Sequence, residues 1–492
     1  VQNTSVTILN VSVISTNSVS YGVYASSDYV TISSVNVDAG GNITQAGLRI
    51  SSWTAISYSS VTVFTAHGLR VDGRLNSVSY ANFVTSGTGV YGLYLVGASS
   101  NSFNVIFTSN PAGHGAVITG NSNYNNITRS TFTSTEVGAK TAVLITNGAS
   151  SNTISGSFMV NPVGYGIIIN SDARYNTIIQ STITSNSTNG YAMYMSNAYY
   201  NSVIGSYMSN PPSVAASFFT NADANTISQS TIVANGSANA LWIYDSSSNT
   251  ITGTLISNPL GYAARISNYS DLNVISRSTM TSNSGAYALY ITQSSSNSVT
   301  ESFLSNPSGY GARIGTGSNN NVISRSTVTS GASTLPAIWI DGSSSNTIMS
   351  SYVQGSTAVY VSGSTSTIIG DSVLIATNTI GNAVYLSSGS VNFTLSSSTL
   401  QGGVSASAIR LETGNSGVLT LSSNTILGGS YGLFIATQAP GLFSLSATSL
   451  TFAGGLTAGA TAIHFAGGTF TSTFTTVGFN DANIAVNVNG SA

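Results

Sequence analysis

Four polar residues, His67, Arg70, Asp72 and Arg74, lie within eight positions of one another, and Arg49 stands one repeat before them. An imidazole beside a carboxylate and guanidinium groups could act as a general acid–base set with anion-stabilising partners. The same residues could instead form a surface ion-pair patch, which contributes little to stability. The chain has 13 Asp and Glu, 11 Lys and Arg and 3 His in 492 residues, and no Cys. Its acids are scattered, so the two carboxylates that must face one glycosidic bond are not evident. Asp223 and Asp271 each stand two residues before a recurring Asn, which points to turn chemistry, and Arg174 holds the same slot. Lys140 stands apart from any acid in the pattern. Nucleophilic triads, phosphate loops and His/Cys metal spacings are absent, so neither cofactor nor metal is expected, and the chain reads as a non-enzyme.

A second set is aromatic. A phrase of Gly or Ala, apolar, any residue, apolar recurs along the chain, and its variable position points outward if the phrase is a strand. From Tyr194 that position reads Tyr194, Ser217, Trp242, Arg265, Tyr290, Arg313, Trp339, Tyr360 and Tyr385. Aromatic faces stack on sugar rings, and Arg bonds hydroxyls or carboxylates, so Tyr194, Trp242, Arg265, Tyr290, Arg313, Trp339, Tyr360 and Tyr385 are candidate polysaccharide-binding residues. The alternative is that these side chains stack on one another by cation–π contact. A second outward column alternates Thr131, Thr182, Thr231, Thr279 and Thr327 with Phe158, Tyr207, Leu255, Phe303 and Tyr352.

These columns need a repeating scaffold, and the sequence has one. An Asn opens successive units at Asn101, Asn125, Asn152, Asn176, Asn201, Asn225, Asn249, Asn273, Asn297, Asn321 and Asn346, at intervals of 24 to 27 residues. The Gly/Ala phrase starts 20 such units. Units alternate between Ser-Thr-apolar-Thr-Ser and Asn-Pro followed by Gly-Tyr, so the repeat is two units, or about 48 residues. Self-similarity of this kind marks a solenoid. Apolar residues alternate over four or five positions and no run keeps a 3.6-residue period. The expectation is an all-β, single-chain right-handed parallel β-helix of about 20 turns, with three short strands and about 24 residues per turn. The recurring Asn is expected at a corner, where it tolerates left-handed backbone and can bond its neighbours up and down the stack. Arg277, Glu301 and Arg325 each lie four residues after a corner Asn, which predicts an outer ion ladder.

Spacing, Asn corners and Gly/Ala phrases resemble right-handed parallel β-helix proteins of the pectin-lyase-like superfamily, most of all the NosD-like repeat proteins, from about Gly92 to Asn346. In those families Asn also marks other corners, where this chain often has Ser. The resemblance implies a fold; that fold hosts lyases, hydrolases, adhesins and inert surface proteins. Gly113-His114-Gly115 matches a short polygalacturonase motif, but the paired Asp residues and Arg-x-Lys of that family are missing. His114 also fills the slot held by Tyr165, Tyr262 and Tyr310.

Charged residues are 5% of the chain and the net charge is −2, which disfavours nucleic acid as a partner. No apolar run reaches membrane-spanning length, so membrane insertion is not expected. One continuous solenoid over 1–492 is expected, with irregular turns at 1–90, regular two-turn repeats at 91–350 and Gly/Ser/Thr-rich turns at 351–492. The absence of capping helices suggests that copies associate end to end or laterally, or that further turns continue. The reading is an extracellular or cell-surface structural solenoid. A polysaccharide-binding adhesin and a pectin-lyase-like enzyme are the alternatives.

Overall fold

Apolar–polar alternation becomes short strands, each paired in parallel with its counterpart one turn on. In this computed structural model the described residues are 5–387, 389–439, 441–453, 456–468, 471–479 and 484–488. The fold is an all-β solenoid of about 19 turns with about 24 residues per turn, and it has no helices among the described residues. One turn illustrates the rest. Thr153–Ser155 belongs to the first sheet, Phe158–Asn161 to the second and Tyr165–Asn170 to the third.

The chain divides into two compact units, Val1–Leu255 and Ile256–Ala492. Each repeats the same turn. In the first unit, single strands Ser77–Thr85 and Ser102–Asn110 run through the corner between first and second sheets; in the second, Phe443–Phe452 and Thr471–Phe479 do so.

The inward positions build apolar stacks. In the first unit Ile127, Ile154, Ile178, Val203, Ile227 and Ile251, each two residues after a corner Asn, are fully buried. Phe132, Met159, Ile183, Met208 and Ile232 do the same from the second sheet. Each such side chain contributes roughly 1.5–3 kcal/mol by leaving water.

The Asn corner is buried too. In the first unit the Nδ2 of Asn125 donates to the Oδ1 of Asn152 (2.8 Å), that of Asn152 to Asn176 (2.9 Å) and that of Asn176 to Asn201 (3.0 Å). The same Oδ1 atoms accept the backbone N–H of the preceding Asn, and each Nδ2 also reaches a carbonyl, as Asn125 does at Ala98 (2.8 Å). Asn101, Asn201, Asn225 and Asn249 belong to this run, and Asn76 extends it by one turn. In the second unit Asn273, Asn297, Asn321 and Asn346 form an equivalent run.

The left-handed residue is not the Asn itself, as the sequence suggested, but the one before it: Tyr124, Ser151, Tyr175 and Tyr200 have φ of 56–58°. The Asn side chain has to point inward, and the preceding residue makes the bend. Left-handed backbone costs a non-glycine residue roughly 1–2 kcal/mol, which the cross-turn hydrogen bonds offset.

At the second corner Ser does what Asn does at the first. The N–H of Ser157 bonds the Oγ of Ser181, Ser181 bonds Ser206 and Ser206 bonds Ser230, at 3.1–3.2 Å.

The two-turn repeat has its own cause. The Oδ1 of Asn161 accepts the N–H of Val163 and Gly164, closing the Asn-Pro turn. Its Nδ2 donates to the carbonyls of Glu136 and Lys140 in the turn before. The Ser185 hydroxyl of the next turn then donates to the Gly164 carbonyl at 2.7 Å. Asn110 with Ser134, and Asn306 with Ser330, repeat this arrangement.

Candidate ligand-binding groove

The outward column of the third sheet keeps one register within each unit. Tyr194 pairs with Ser217 and Ser217 with Trp242 in the first. In the second, Arg265, Tyr290, Arg313, Trp339, Tyr360 and Tyr385 follow in order. Apart from Ser217, which is fully buried, these side chains are half-buried rather than open, because further aromatic rings flank them along the sheet. Tyr165 and Tyr191 lie against Tyr194, at centroid distances of 5.7 and 5.2 Å. Trp242 meets Phe219 and Tyr244 edge-on. Tyr287 stacks on Tyr290 (5.0 Å) and on Tyr310 (4.7 Å).

Arg265 lies over Tyr290 at 5.6 Å. Arg313 lies 4.0 Å over Trp339, donates to the Tyr287 hydroxyl (3.0 Å) and pairs with Asp341 (2.8 Å). Much of the column is therefore satisfied by its own members.

The exception lies between Trp339 and Tyr385. The third-sheet strands Ile338–Asp341 and Val384–Leu386 are each entered by a seven-residue loop, 331–337 and 377–383. The strand between them, Val359–Ser362, is entered by the three residues 356–358. Asn378 Nδ2 donates to the Ser333 carbonyl at 2.6 Å, so the two long loops meet across the short one. The missing residues leave a groove of about 360 Å³, within the range of small-ligand sites. Leu335 and Pro336 wall one side, Asn382 the other, and Thr357 contributes from the short turn. Tyr310, Trp339, Tyr360 and Tyr385 supply aromatic surface.

Here the stack changes direction. Tyr360 and Tyr385 are nearly parallel (13°), whereas Trp339 and Tyr360 stand at 73°. The rings are held from behind. Trp339 Nε1 donates to Ser362 Oγ (3.1 Å), which donates to Asp341 Oδ1 (3.0 Å). The Tyr385 hydroxyl donates to Glu412 at 3.1 Å, and burial, followed by the Glu412 charge, pushes that phenol up to about 12.

The His67 set is an ion-pair patch with one carboxylate at its centre. Asp72 accepts from Arg49 (2.6 Å) and Arg70 (2.7 Å). His67 Nδ1 accepts the Tyr91 N–H (3.1 Å), and burial, then the Arg70 charge, lower its pKa to about 4. Arg74 lies at the following corner, bridged to Ser99. No second carboxylate joins Asp72 in an ion pair or hydrogen bond among the described residues. His114 is likewise buried and bonded to Thr141. Asp223 and Asp271 each accept a backbone N–H, from Ser247 and Ser295, at 2.6 Å.

Arg277, Glu301 and Arg325 occupy the left-handed position of the second corner, and Arg325 contacts Glu301 at 3.2 Å. On the second sheet Phe158, Tyr207 and Leu255 in the first unit, and Phe303 and Tyr352 in the second, are exposed. No group of three or more His, Cys, Asp or Glu residues could hold a metal ion, and no helix is long and apolar enough to cross a membrane, among the described residues.

The family model for the right-handed β-helix region matches residues 141–304 and 287–444. Together these cover more than half of the chain, which belongs to that family. No curated protein sequence matches it. Among solved structures it is similar to the Dettilon tailspike protein gp208, with a TM-score of 0.37 and 13% identity over 73% of this chain and 62% of that one. The chain thus spans less than two thirds of the tailspike's length. It is also similar to the Azotobacter vinelandii mannuronan C-5 epimerase AlgE4 A-module, with a TM-score of 0.36 and 11% identity over 66% and 88% of the two chains. A third similar structure is the Arthrobacter chlorophenolicus A6 DFA-IIIase in complex with DFA-III, with a TM-score of 0.30 and 12% identity over 65% and 84%. These identities carry no activity across.

Proposed function

We propose that this chain is a non-catalytic structural β-solenoid of the cell surface or extracellular space, of the NosD-like kind, that assembles with copies of itself. One observation carries this: seven of the 13 Asp and Glu side chains are engaged in holding the fold. Asp72, Asp172, Asp341, Glu301 and Glu412 are paired with Arg, and Asp223 and Asp271 hold backbone amides. Exposed Phe158 and Tyr207 on the second sheet offer apolar area for lateral association. Electron microscopy of the purified chain, together with a polysaccharide cleavage and epimerisation screen, tests the reading. Filaments or lateral arrays without turnover are expected. A monodisperse chain that turns over a polysaccharide overturns it.

A second reading, polysaccharide binding, is favoured by the groove, because Trp339, Tyr360 and Tyr385 of the outward column line it together. Retention of the chain on immobilised polysaccharide tests it.

A further inference from the structure

We propose that the groove over residues 356–358 binds a neutral, hexose-based glycan and discriminates against acidic ones; this deepens the polysaccharide-binding reading and rests on it. No Asp, Glu, Lys or Arg lines the groove among the described residues. The cation nearest in the stack, Arg313, is held by Asp341 and the Tyr287 hydroxyl and lies against Trp339. Arg410 is held by Glu412, whose carboxylate also takes the Tyr385 hydroxyl. Among the described lining residues a sugar carboxylate would meet no cation, while Glu412 bonds the Tyr385 hydroxyl and Asp341 is joined to Trp339 through Ser362.

The shape suits a ring with apolar faces and polar edges. Trp339 and Tyr360 present surfaces at 73°, one to stack on a pyranose face and one to abut its edge. Asn382 and Thr357 stand beside them with amide and hydroxyl groups. A peptide added as a strand finds no partner here. Ile338–Asp341, Val359–Ser362 and Val384–Leu386 are each paired on both sides. The ring positions are already fixed by Ser362 and Glu412, so little ordering cost remains on binding.

The test is calorimetric titration of the whole chain with neutral gluco- and manno-oligosaccharides and with oligomers of mannuronate and galacturonate, at equal ionic strength. Neutral oligosaccharides are expected to bind at least about tenfold tighter than acidic ones, and Tyr360→Ala is expected to weaken them about tenfold or more. Tyr175→Ala, which loses a ring stacked on Tyr200 outside the groove, is the control for lost stacking and keeps neutral binding. Thr357→Lys is expected to bring acidic oligomers to parity by placing a cation in the groove. Tighter binding of acidic oligomers by the unaltered chain overturns this inference but leaves polysaccharide binding standing. Binding of neither class by a chain whose melting is unchanged overturns both. Neutral binding that Tyr360→Ala leaves intact overturns the assignment to this groove.

Discussion

The Nδ1 of His114 accepts the backbone N–H of Thr141, one turn along, at 3.1 Å. His67 Nδ1 does the same for Tyr91. An imidazole that accepts at Nδ1 must carry its proton on Nε2 and be neutral, and burial lowers both pKa values to about 4. The unfolded chain, with His near ~6.5, therefore binds more protons than the folded chain between about pH 6.5 and 4. Stability is complete above that window and is lost as pH falls through it, by up to about 3 kcal/mol per His. Melting followed from pH 7.5 to 4 should show this slope, and His67→Gln with His114→Gln together should flatten it. An equal slope in the double variant would refute the assignment.

Asn201→Ala removes the acceptor used by the Asn176 N–H and Nδ2, and the donor used by the Ala173 carbonyl. Leaving these groups buried and unpaired should cost roughly 2–4 kcal/mol. Asn201→Ser should recover part of that, because Ser accepts from the adjacent turn at the second corner. Denaturant unfolding of the two variants measures the difference.

Gly164→Ala places a methyl group where Asn161 Nδ2 would be 2.4 Å away and the Glu136 and Lys140 carbonyls 2.7 Å away. A loss of about 1–3 kcal/mol is expected from this overpacking. Gly205→Asn should cost less than about 1 kcal/mol, although Gly205 has φ of 57°. Gln180 and Gln229 adopt the same backbone in the turns on either side, and the nearest atom to a Gly205 Cβ is 3.5 Å away. Thermal melts that rank the two variants the other way would contradict the packing account.

Glu301→Gln should change stability by no more than about 0.5 kcal/mol, since Arg325 and Glu301 are 64% and 46% exposed and solvent screens the pair. A larger loss in urea unfolding would mean that the corner column supports the turn more than its exposure implies.

The Asn run was legible because one residue type at one interval has one physical explanation. Asn76 was missed, although it stands 25 residues before Asn101, because the phrases around it were irregular. The outward register of Trp339, Tyr360 and Tyr385 was legible from alternation alone. The packing of Tyr287 against Tyr290 and Arg313, and of Tyr310 against Trp339, was not, because Tyr287 and Tyr310 stand three residues before the outward position of their own strands. The groove depends on what is missing. The interval from Ala337 to Ala358 is 21 residues, and a shortened interval signals a notch only once the loops on both sides are known to be long.

The alternation of Asn161-type and Ser185-type turns gives the solenoid a parity. Each Asn-Pro turn closes on a carbonyl loop before it and offers its Gly carbonyl to a Ser after it. Excising one turn would set two turns of the same phase side by side, with an Asn Nδ2 facing a Gly carbonyl in place of the two loop carbonyls it spans. Excising two would leave every contact in place. Within its regular stretch such a chain can grow or shrink only in even steps, so length variants among its descendants should differ by multiples of about 48 residues.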